Sequence, residues 1–358
     1  MTGGRTGHYH SLVTRMRRGS ATRLLLAVAL VSAAALHAQG APPPDPRYRT
    51  RTSDCRVEPP PGRALTPTSR DGSVRITGYT AEKVVTHTAD ARGLAGGEII
   101  VCTEYGRVEI ADADDQSVHV QVRLEGFGEG SPDPAEAARR VIEETDIRVA
   151  MSAHEGRLNV RVWHATLGFT PMAQAAAVGI RVLVPASGAY AVQSTAFHGA
   201  VAVRRLTLAR STFRGRVGDK FKGIPGYIGP MELDNVTLAG DVDVTSDGAR
   251  LAAPVFAKLR VASSSRLSVE TGGDITIAVQ PHPSLGVHAL AETSADTARV
   301  QIDGATSSDA PGGTLAVRRQ AESLGFSDKS VKLDVRVTST AGRVTIVSMP
   351  AAPLAPSR

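Results

Sequence analysis

A short pattern recurs along this chain of 358 residues: a glycine, one variable residue, and then apolar residues at every second position. Glycine reaches φ > 0 without a Cβ clash and suits a tight corner, while alternating apolar residues are typical of a strand with one buried face. The pattern therefore predicts a stack of corner-and-strand units. Its clearest copies are Gly106–Ile110, Gly156–Val160, Gly199–Val203, Gly240–Val244, Gly273–Ile277 and Gly342–Ile346.

Units this short cannot bury an apolar side alone, so their stability has to come from stacking on neighbours, which predicts a solenoid. Hydrophobic residues make up 42% of the chain and aromatic residues 4%, so the core must consist of Val, Ile, Leu and Ala. Stacked corners lie about 4.8 Å apart, where small residues fit and branched side chains crowd. Small hydroxyl residues precede many of the glycines, among them Thr271, Thr293 and Ser339.

Residues 1–38 have the layout of a secretory signal peptide: a basic stretch ending at Arg23, an apolar run to Leu36, and small residues near Ala38. We expect cleavage between Ala38 and Gln39. The run is too short for a comfortable membrane span, although an uncleaved anchor is the alternative, and Met16 is an alternative start. The sequence thus predicts an exported protein of the periplasm, the cell surface or the medium.

The net charge of +6 would ordinarily suggest nucleic acid or an anionic membrane as a partner. The leader, however, contributes five arginines and no acidic residue, and without it the basic and acidic residues nearly balance. We therefore predict no nucleic-acid partner and no membrane span after signal removal.

Residues 39–72 are rich in Pro, Arg, Thr and Ser and predict an extended linker rather than folded core. Cys55 lies in this segment, and Cys102 lies in the first strong strand. An oxidising compartment favours a structural disulfide between the two, which would turn the linker into a strap, and two free thiols are the alternative.

Residues 73–348 are predicted to form the β-solenoid, and 349–358 a tail. One short helix interrupts the strands, because Asp133, Pro134 and Glu136 resemble a capping box and an apolar side continues to Thr145. We expect this helix to cover the β body as a lid or edge cover, and we expect Lys220–Pro230, which is rich in Gly and Pro, to form a loop.

The repeats resemble the putative adhesin family of bacterial envelope proteins. The resemblance rests on Ile180–Gly188, Leu238–Gly248, Val269–Ile275 and Val337–Ile346, and it covers roughly residues 95–348. It implies an exported, all-β, right-handed parallel β-helix-like solenoid without assigned catalytic residues.

Parallel β-helices can also carry polysaccharide lyases and hydrolases, and acid-base cleavage of glycosides needs two carboxylates facing one groove. The candidate carboxylates are Asp234, Asp241, Asp243 and Asp274, and a solvated strand face explains them more simply. Asp112, Asp114 and Asp115 could offer oxygen ligands to calcium but lack the pattern of a known loop. His282 and His288 flank a turn without zinc-ligand spacing, and Ser263–Ser265 lacks a nucleophile elbow. Accordingly, we predict no catalytic residue, no metal site and no cofactor.

The favoured function is a non-enzymatic binding or structural module of the cell envelope whose partner is an envelope component, a glycan or a protein. The alternatives are a carbohydrate-active β-helix enzyme and an envelope sensor or accessory protein. The predicted outward residues are Arg107, Glu109, Asp241, Asp243, Asp274, Thr276, Arg343 and Thr345.

Overall fold

The computed structural model describes residues 57–103, 106–128, 130–165, 176–197, 199–216, 228–246 and 253–350. These residues form an all-β fold with an open sheet, and their single α-helix is α1 (Pro134–Glu144). The strands are β1 (Arg63–Ala64), β2 (Thr68–Asp71), β3 (Arg75–Thr77), β4 (Thr80–Asp90), β5 (Gly97–Thr103), β6 (Arg107–Ala113), β7 (Ser117–Phe127), β8 (Asp146–His154), β9 (Arg157–Ala165), β10 (Ala176–Pro185), β11 (Ala189–Phe197), β12 (Ala200–Arg204), β13 (Thr207–Leu208), β14 (Ser211–Arg216), β15 (Met231–Leu238), β16 (Val242–Ser246), β17 (Val255–Val261), β18 (Ser265–Thr271), β19 (Ile275–Val279), β20 (Leu285–Thr293), β21 (Ala298–Gln301), β22 (Ala305–Asp309), β23 (Val317–Ser323), β24 (Val331–Ser339) and β25 (Val344–Ser348).

The strands pair side by side in two series. The first ladder runs β1, β8, β9, β5, β11, β14, β16, β18, β24, β20, β23, β22. The second ladder runs from β2 and β3 through β4, β7, β10, β6, β12, β15, β17, β19, β25 to β21. The short strand β13 pairs with both β11 and β15 and joins the two ladders.

Pairing is parallel in the middle of each ladder, from β9 to β20 in the first and from β10 to β21 in the second. Along these strands buried and outward residues alternate, as at Val242 and Val244 around the exposed Asp243. The inward side chains of both ladders belong to one hydrophobic core. It consists mainly of Val, Ile, Leu and Ala, in agreement with the composition.

The corner glycines allow close approach between neighbouring rungs more often than they provide positive φ. Gly106 and Gly156 have positive φ, whereas Gly199 and Gly342 do not. A Cβ on Gly199 would overlap the carbonyl oxygen of Gly106, and one on Gly342 would overlap the backbone of Gly273. The sequence-based reason for these glycines was therefore incomplete, because at Gly199 and Gly342 stacking of backbone on backbone excludes a side chain.

The helix start predicted at Asp133 is confirmed, with Asp133 as its N-cap. The side chain of Asp133 accepts a hydrogen bond from the amide of Glu136 at 3.1 Å, Pro134 opens the helix, and Ala138 and Ile142 are buried. The helix packs on β4 and β7 at the start of the second ladder. It comes so close to β7 that a Cβ on Gly126 would overlap the carbonyl oxygen of Ala138. This placement matches the expected edge cover.

The first ladder has antiparallel strands at both ends and the second ladder has them at its start, which a uniform parallel solenoid would not contain. The copy of the pattern at Gly156 is a hairpin turn between the antiparallel strands β8 and β9, with positive φ at Glu155 and Gly156. At the other end β20, β23 and β22 are antiparallel as well. The repeated pattern therefore marks a strand start, but it does not fix the strand's direction relative to its neighbour.

The predicted linker 39–72 contains two short exposed strands, β1 and β2, which pair with β8 and β4. We call residues 57–65 the strap. The hydroxyl of Ser152 donates to the carbonyl oxygen of Pro61 at 2.5 Å, and the amide of Leu65 donates to the carbonyl oxygen of Met151 at 2.9 Å. This part of the predicted linker is thus bound to the edge of the first ladder.

Several predictions lie outside the described residues: the signal peptide, its cleavage point at Ala38 and Gln39, Cys55, most of Lys220–Pro230, and residues 351–358 of the tail. Within the described part of the chain, no helix is both long and apolar enough to cross a membrane.

Candidate binding surface

The outer face of the second ladder carries side chains in straight rows, because its parallel strands pair in register. One row joins Glu109, Ala202, Glu232, Phe256, Thr276, Thr345 and Arg299, each the direct partner of the next. Three of these, Glu109, Thr276 and Thr345, were predicted to point outward. Rungs repeat at about 4.8 Å, so the row presents one side chain per strand at a regular spacing, except at Ala202, which is buried.

Oppositely charged side chains pair across the strands in the half of this face formed by β10, β6, β12 and β15. Arg204 lies 3.2 Å from Glu232, and Arg205 lies 2.7 Å from Asp112. The carboxylates near Arg205, with Asp112 first, raise the pKa of its guanidinium. Arg181 and Glu109 approach to 3.8 Å. The charges of this half are largely satisfied by one another.

The other half, formed by β17, β19, β25 and β21, differs in character, and we call its outer face the basic patch. None of the outward side chains on these four strands is acidic. They are Phe256, Lys258, Arg260, Thr276, Ala278, Thr345, Val347, Arg299 and Gln301. Phe256 is 45% exposed and is one of three exposed large hydrophobic residues in the described part of the chain.

Amide side chains and one carboxylate hold the cations of the basic patch in place. The guanidinium of Arg260 donates to Oε1 of Gln280 at 2.8 Å, and that of Arg299 donates to Oε1 of Gln301 at 2.5 Å. A neutral amide orients a guanidinium without cancelling its charge, so both arginines keep their positive charge for a ligand. Lys258 lies at the border and approaches Asp234 to 3.2 Å.

The structure separates the carboxylates that sequence analysis considered for acid-base catalysis. Asp243 is exposed on β16 in the first ladder, whereas Asp234 is on β15 in the second. Asp241 lies 3.2 Å from Arg266, and Asp274 lies 3.6 Å from Arg343.

Asp241 and Asp274 each have the same structural role. Each accepts a hydrogen bond from the backbone amide of its arginine, at 2.9 and 2.7 Å respectively. Asp241 therefore joins neighbouring strands of the first ladder and Asp274 neighbouring strands of the second, each with the arginine side chain close to the same carboxylate. This use explains two of the three predicted outward aspartates, Asp241 and Asp274, without a reacting group.

The remaining polar candidates are held by local contacts. Asp115 accepts from the amide of Ser117 and from His119, which lower its pKa, while Asp112 pairs with Arg205. In the described residues, no group of three or more His, Cys, Asp or Glu side chains is arranged to hold a metal ion.

Neither histidine of the predicted turn faces a second histidine in these contacts. His282 contacts Ser284 at 2.7 Å, and His288 contacts Asp334 at 2.9 Å. In the serine run, the Ser265 hydroxyl donates to the carbonyl oxygen of Ser263, and the Ser264 hydroxyl accepts from the amide of Lys332.

Cys102 is buried on the outer side of the first ladder. It packs with Phe197, and Val57 of the strap and Trp163 lie against the two. Arg216 stacks over the Phe197 ring at 5.7 Å. The strap thus reaches the site of the predicted disulfide, while the pairing itself stays a prediction because Cys55 lies outside the described residues.

Sequence analysis missed the basic patch. Its residues come from four strands spread over 255–348, and they become neighbours only through the ladder order. The sequence pattern that could have indicated it lies within one strand. There Phe256, Lys258 and Arg260 alternate with the apolar Val255, Ala257 and Leu259, so they point to the opposite face.

Comparison with known proteins gives distant structural similarities. No protein-family model matches the chain, and no curated protein matches it. A solved structure of a putative cell adhesion protein from Clostridium sporogenes is similar with a TM-score of 0.37 and 10% identity, covering 79% of this chain and 100% of that one. A putative adhesin from Bacteroides fragilis gives a TM-score of 0.24 and 9% identity, covering 74% and 97%. Similarity at this level assigns no activity.

Proposed function

We propose that the chain is an exported, non-enzymatic β-solenoid that acts as a binding module of the bacterial cell envelope, as its resemblance to the putative adhesin family implies. In this proposal successive parallel rungs wind as a solenoid and carry their outward side chains at a constant spacing. The observation that carries the proposal is the basic patch, in which Arg260 and Arg299 are bound by neutral amides and the Phe256 ring is exposed.

The chemistry of the basic patch favours a linear, repetitive and anionic partner. Four strands at the usual spacing span about 14 Å, enough for several units of a polymer lying across them. The guanidinium groups of Arg260 and Arg299 can each donate to a carboxylate or another anionic oxygen, and the ring of Phe256 can contact the apolar side of a sugar. An acidic polysaccharide of the envelope meets both requirements.

The proposal is tested with residues 39–358 as a monodisperse protein. Envelope fractions and a panel of acidic and neutral polysaccharides are assayed for binding at several salt concentrations. We expect binding to an acidic polysaccharide that weakens as salt rises, since screening acts on exposed charges. Equal binding to every polymer of the same charge density, DNA included, would contradict recognition of a glycan. Release of new sugar ends would contradict the non-enzymatic role.

A matched pair of variants locates the surface. The test variant carries Lys258→Gln, Arg260→Gln and Arg299→Gln. The control carries Arg107→Gln, Arg140→Gln and Arg214→Gln, which removes the same charge from exposed positions elsewhere. We expect the test variant to lose at least ten-fold in affinity and the control to lose less than three-fold. Equal losses would show that net charge, rather than the basic patch, determines binding.

A further inference from the structure

A cavity of about 280 Å³ opens where the parallel part of the two ladders ends, and we call it the end pocket. Its apolar lining comes from the core residues Val279, Leu285, Val287 and Ile302, which lie at the end of β19, at the start of β20 and directly after β21. Leu324 stands at its edge and is 85% exposed, the most exposed large hydrophobic residue in the described part of the chain. An exposed apolar side chain thus stands beside buried core residues at this point.

Two hydroxyl groups in the end pocket have hydrogen atoms to donate. Ser323 accepts a hydrogen bond from the amide of Val287 at 2.9 Å, and Ser348 accepts one from the amide of Asp303 at 2.9 Å. Each hydroxyl therefore uses its oxygen within the protein. Neither one donates to a group among the described residues, and a hydroxyl can do both.

Lys329 supplies a cation to the same pocket. Its ammonium group donates to the carbonyl oxygen of Pro283 at 2.7 Å, which fixes its position and leaves further N–H groups. The lysine stem lies against β20 at Gly286, where a Cβ would come within 3.1 Å of the lysine Cγ.

His282 adds a donor. Its Nδ1 accepts from the amide of Ser284, so in the neutral ring the hydrogen is assigned to Nε2. The polar part of the pocket is therefore rich in donors, with Asp303 as its single carboxylate.

We propose that the end pocket binds a small aliphatic carboxylate. The apolar lining would take the hydrocarbon chain, while Lys329 and the hydroxyls of Ser323 and Ser348 would take the carboxylate. The volume suits a ligand of roughly ten non-hydrogen atoms, since one water-sized group takes about 30 Å³. The carboxylate of Asp303 repels an anionic ligand and so lowers its affinity. Substitution of Asp303 therefore tests the charge of the ligand. This inference is independent of the basic patch.

The test uses the same purified chain with three probes: octanoate, octanol and acetate. Octanoate combines both features, octanol lacks the charge, and acetate lacks the chain. We expect octanoate to bind with a Kd on the order of 0.1 mM, as suits about ten atoms, and the other two probes to bind at least ten-fold more weakly. Equal affinity for octanoate and octanol would overturn the role of the donors, and no octanoate binding at about 10 mM would overturn the site.

Single substitutions test which residues of the end pocket contact the octanoate carboxylate. Lys329→Met keeps the stem and removes the charge, so octanoate affinity should fall at least ten-fold while octanol binding stays unchanged. Asp303→Asn should strengthen octanoate binding about three-fold, whereas weaker binding would contradict an anionic ligand beside Asp303. The control is Lys332→Met, because Lys332 lies over the Phe326 ring at 5.6 Å and is not part of the pocket. An equal effect of Lys332→Met would contradict the proposal.

Discussion

The hydroxyl of Thr293 donates to the carbonyl oxygen of Gly342 at 2.6 Å and accepts from the amide of Ala295 at 2.9 Å, so one buried side chain satisfies two backbone groups at a corner. Its neighbours in register repeat the arrangement. Ser339 donates to the carbonyl oxygen of Gly273, and Thr271 donates to that of Ala253. The small hydroxyl residues beside the glycines thus hold the corners, where the strand ladder supplies no partner.

Thr293→Val should destabilise the chain by about 1–3 kcal/mol, because it keeps the shape of the side chain and leaves the carbonyl oxygen of Gly342 and the amide of Ala295 without this partner. Urea unfolding followed by circular dichroism measures the change. The matched control is Thr345→Val on the outer face of β25, which should change the free energy of unfolding by less than about 0.5 kcal/mol. Equal effects of the two variants would show that the corner bonds do not contribute.

Gly199→Ala should destabilise the chain by about 3 kcal/mol or more, since the added methyl group would overlap the backbone of Gly106 and force two rungs apart. Gly179→Ala is the control. Its Cβ would lie 3.6 Å from the Cβ of Arg123, an ordinary contact, and an alanine within β10 should be neutral or slightly stabilising. Thermal unfolding of both variants separates close approach from a general preference for glycine.

Local features of this fold could be predicted from sequence, and long-range ones could not. Alternation located the strand starting at Arg107 and the strand starting at Val344, and the capping box at Asp133 located the helix. Each of these signals is contained in a few consecutive residues. Strand order depends instead on contacts between distant segments, such as Thr271 with Ser339. The antiparallel ends were missed for this reason.

The candidate surfaces depend on the same long-range information. Phe256 and Arg299 belong to one row only because Thr276 and Thr345 lie between them in register. The end pocket needs Leu285, Ile302 and Ser348 to meet at the end of the stack. Sequence analysis could assign these residues to outward or inward positions, but the strand order was needed to make them neighbours.

Tyr190 should make the stability of the chain fall in alkaline solution. Burial raises the pKa of its phenol to about 12, and its hydroxyl donates to the carbonyl oxygen of Pro185 at 2.8 Å. Because the unfolded phenol ionises near pH 10, the unfolded state binds fewer protons above that pH. The contribution of Tyr190 to the free energy of unfolding is therefore fully present below pH 10. It falls by up to about 1.4 kcal/mol per pH unit between pH 10 and 12.

Urea unfolding at pH 9 and pH 11 measures this loss in the native chain and in Tyr190→Phe. The variant should be less stable at pH 9 by about 1 kcal/mol, the value of a lost hydrogen bond, and should lose less than the native chain on going to pH 11. Tyr79→Phe, at a position 52% exposed, should behave like the native chain at both values. The same pH dependence in Tyr190→Phe would contradict the assignment.

We predict that Cys55 and Cys102 form a disulfide that fastens the strap to the first ladder. Cys102 is buried beside Val57, which follows Cys55 by two residues in the sequence. Closing a loop of this length in the unfolded chain should stabilise the fold by about 4 kcal/mol in the chain-entropy account. Thiol titration of the denatured, unreduced chain from an oxidising compartment should find no free thiol, and reductant should lower the urea midpoint. Cys55→Ser should have the lower midpoint with or without reductant, whereas two titratable thiols per native chain would contradict the pairing.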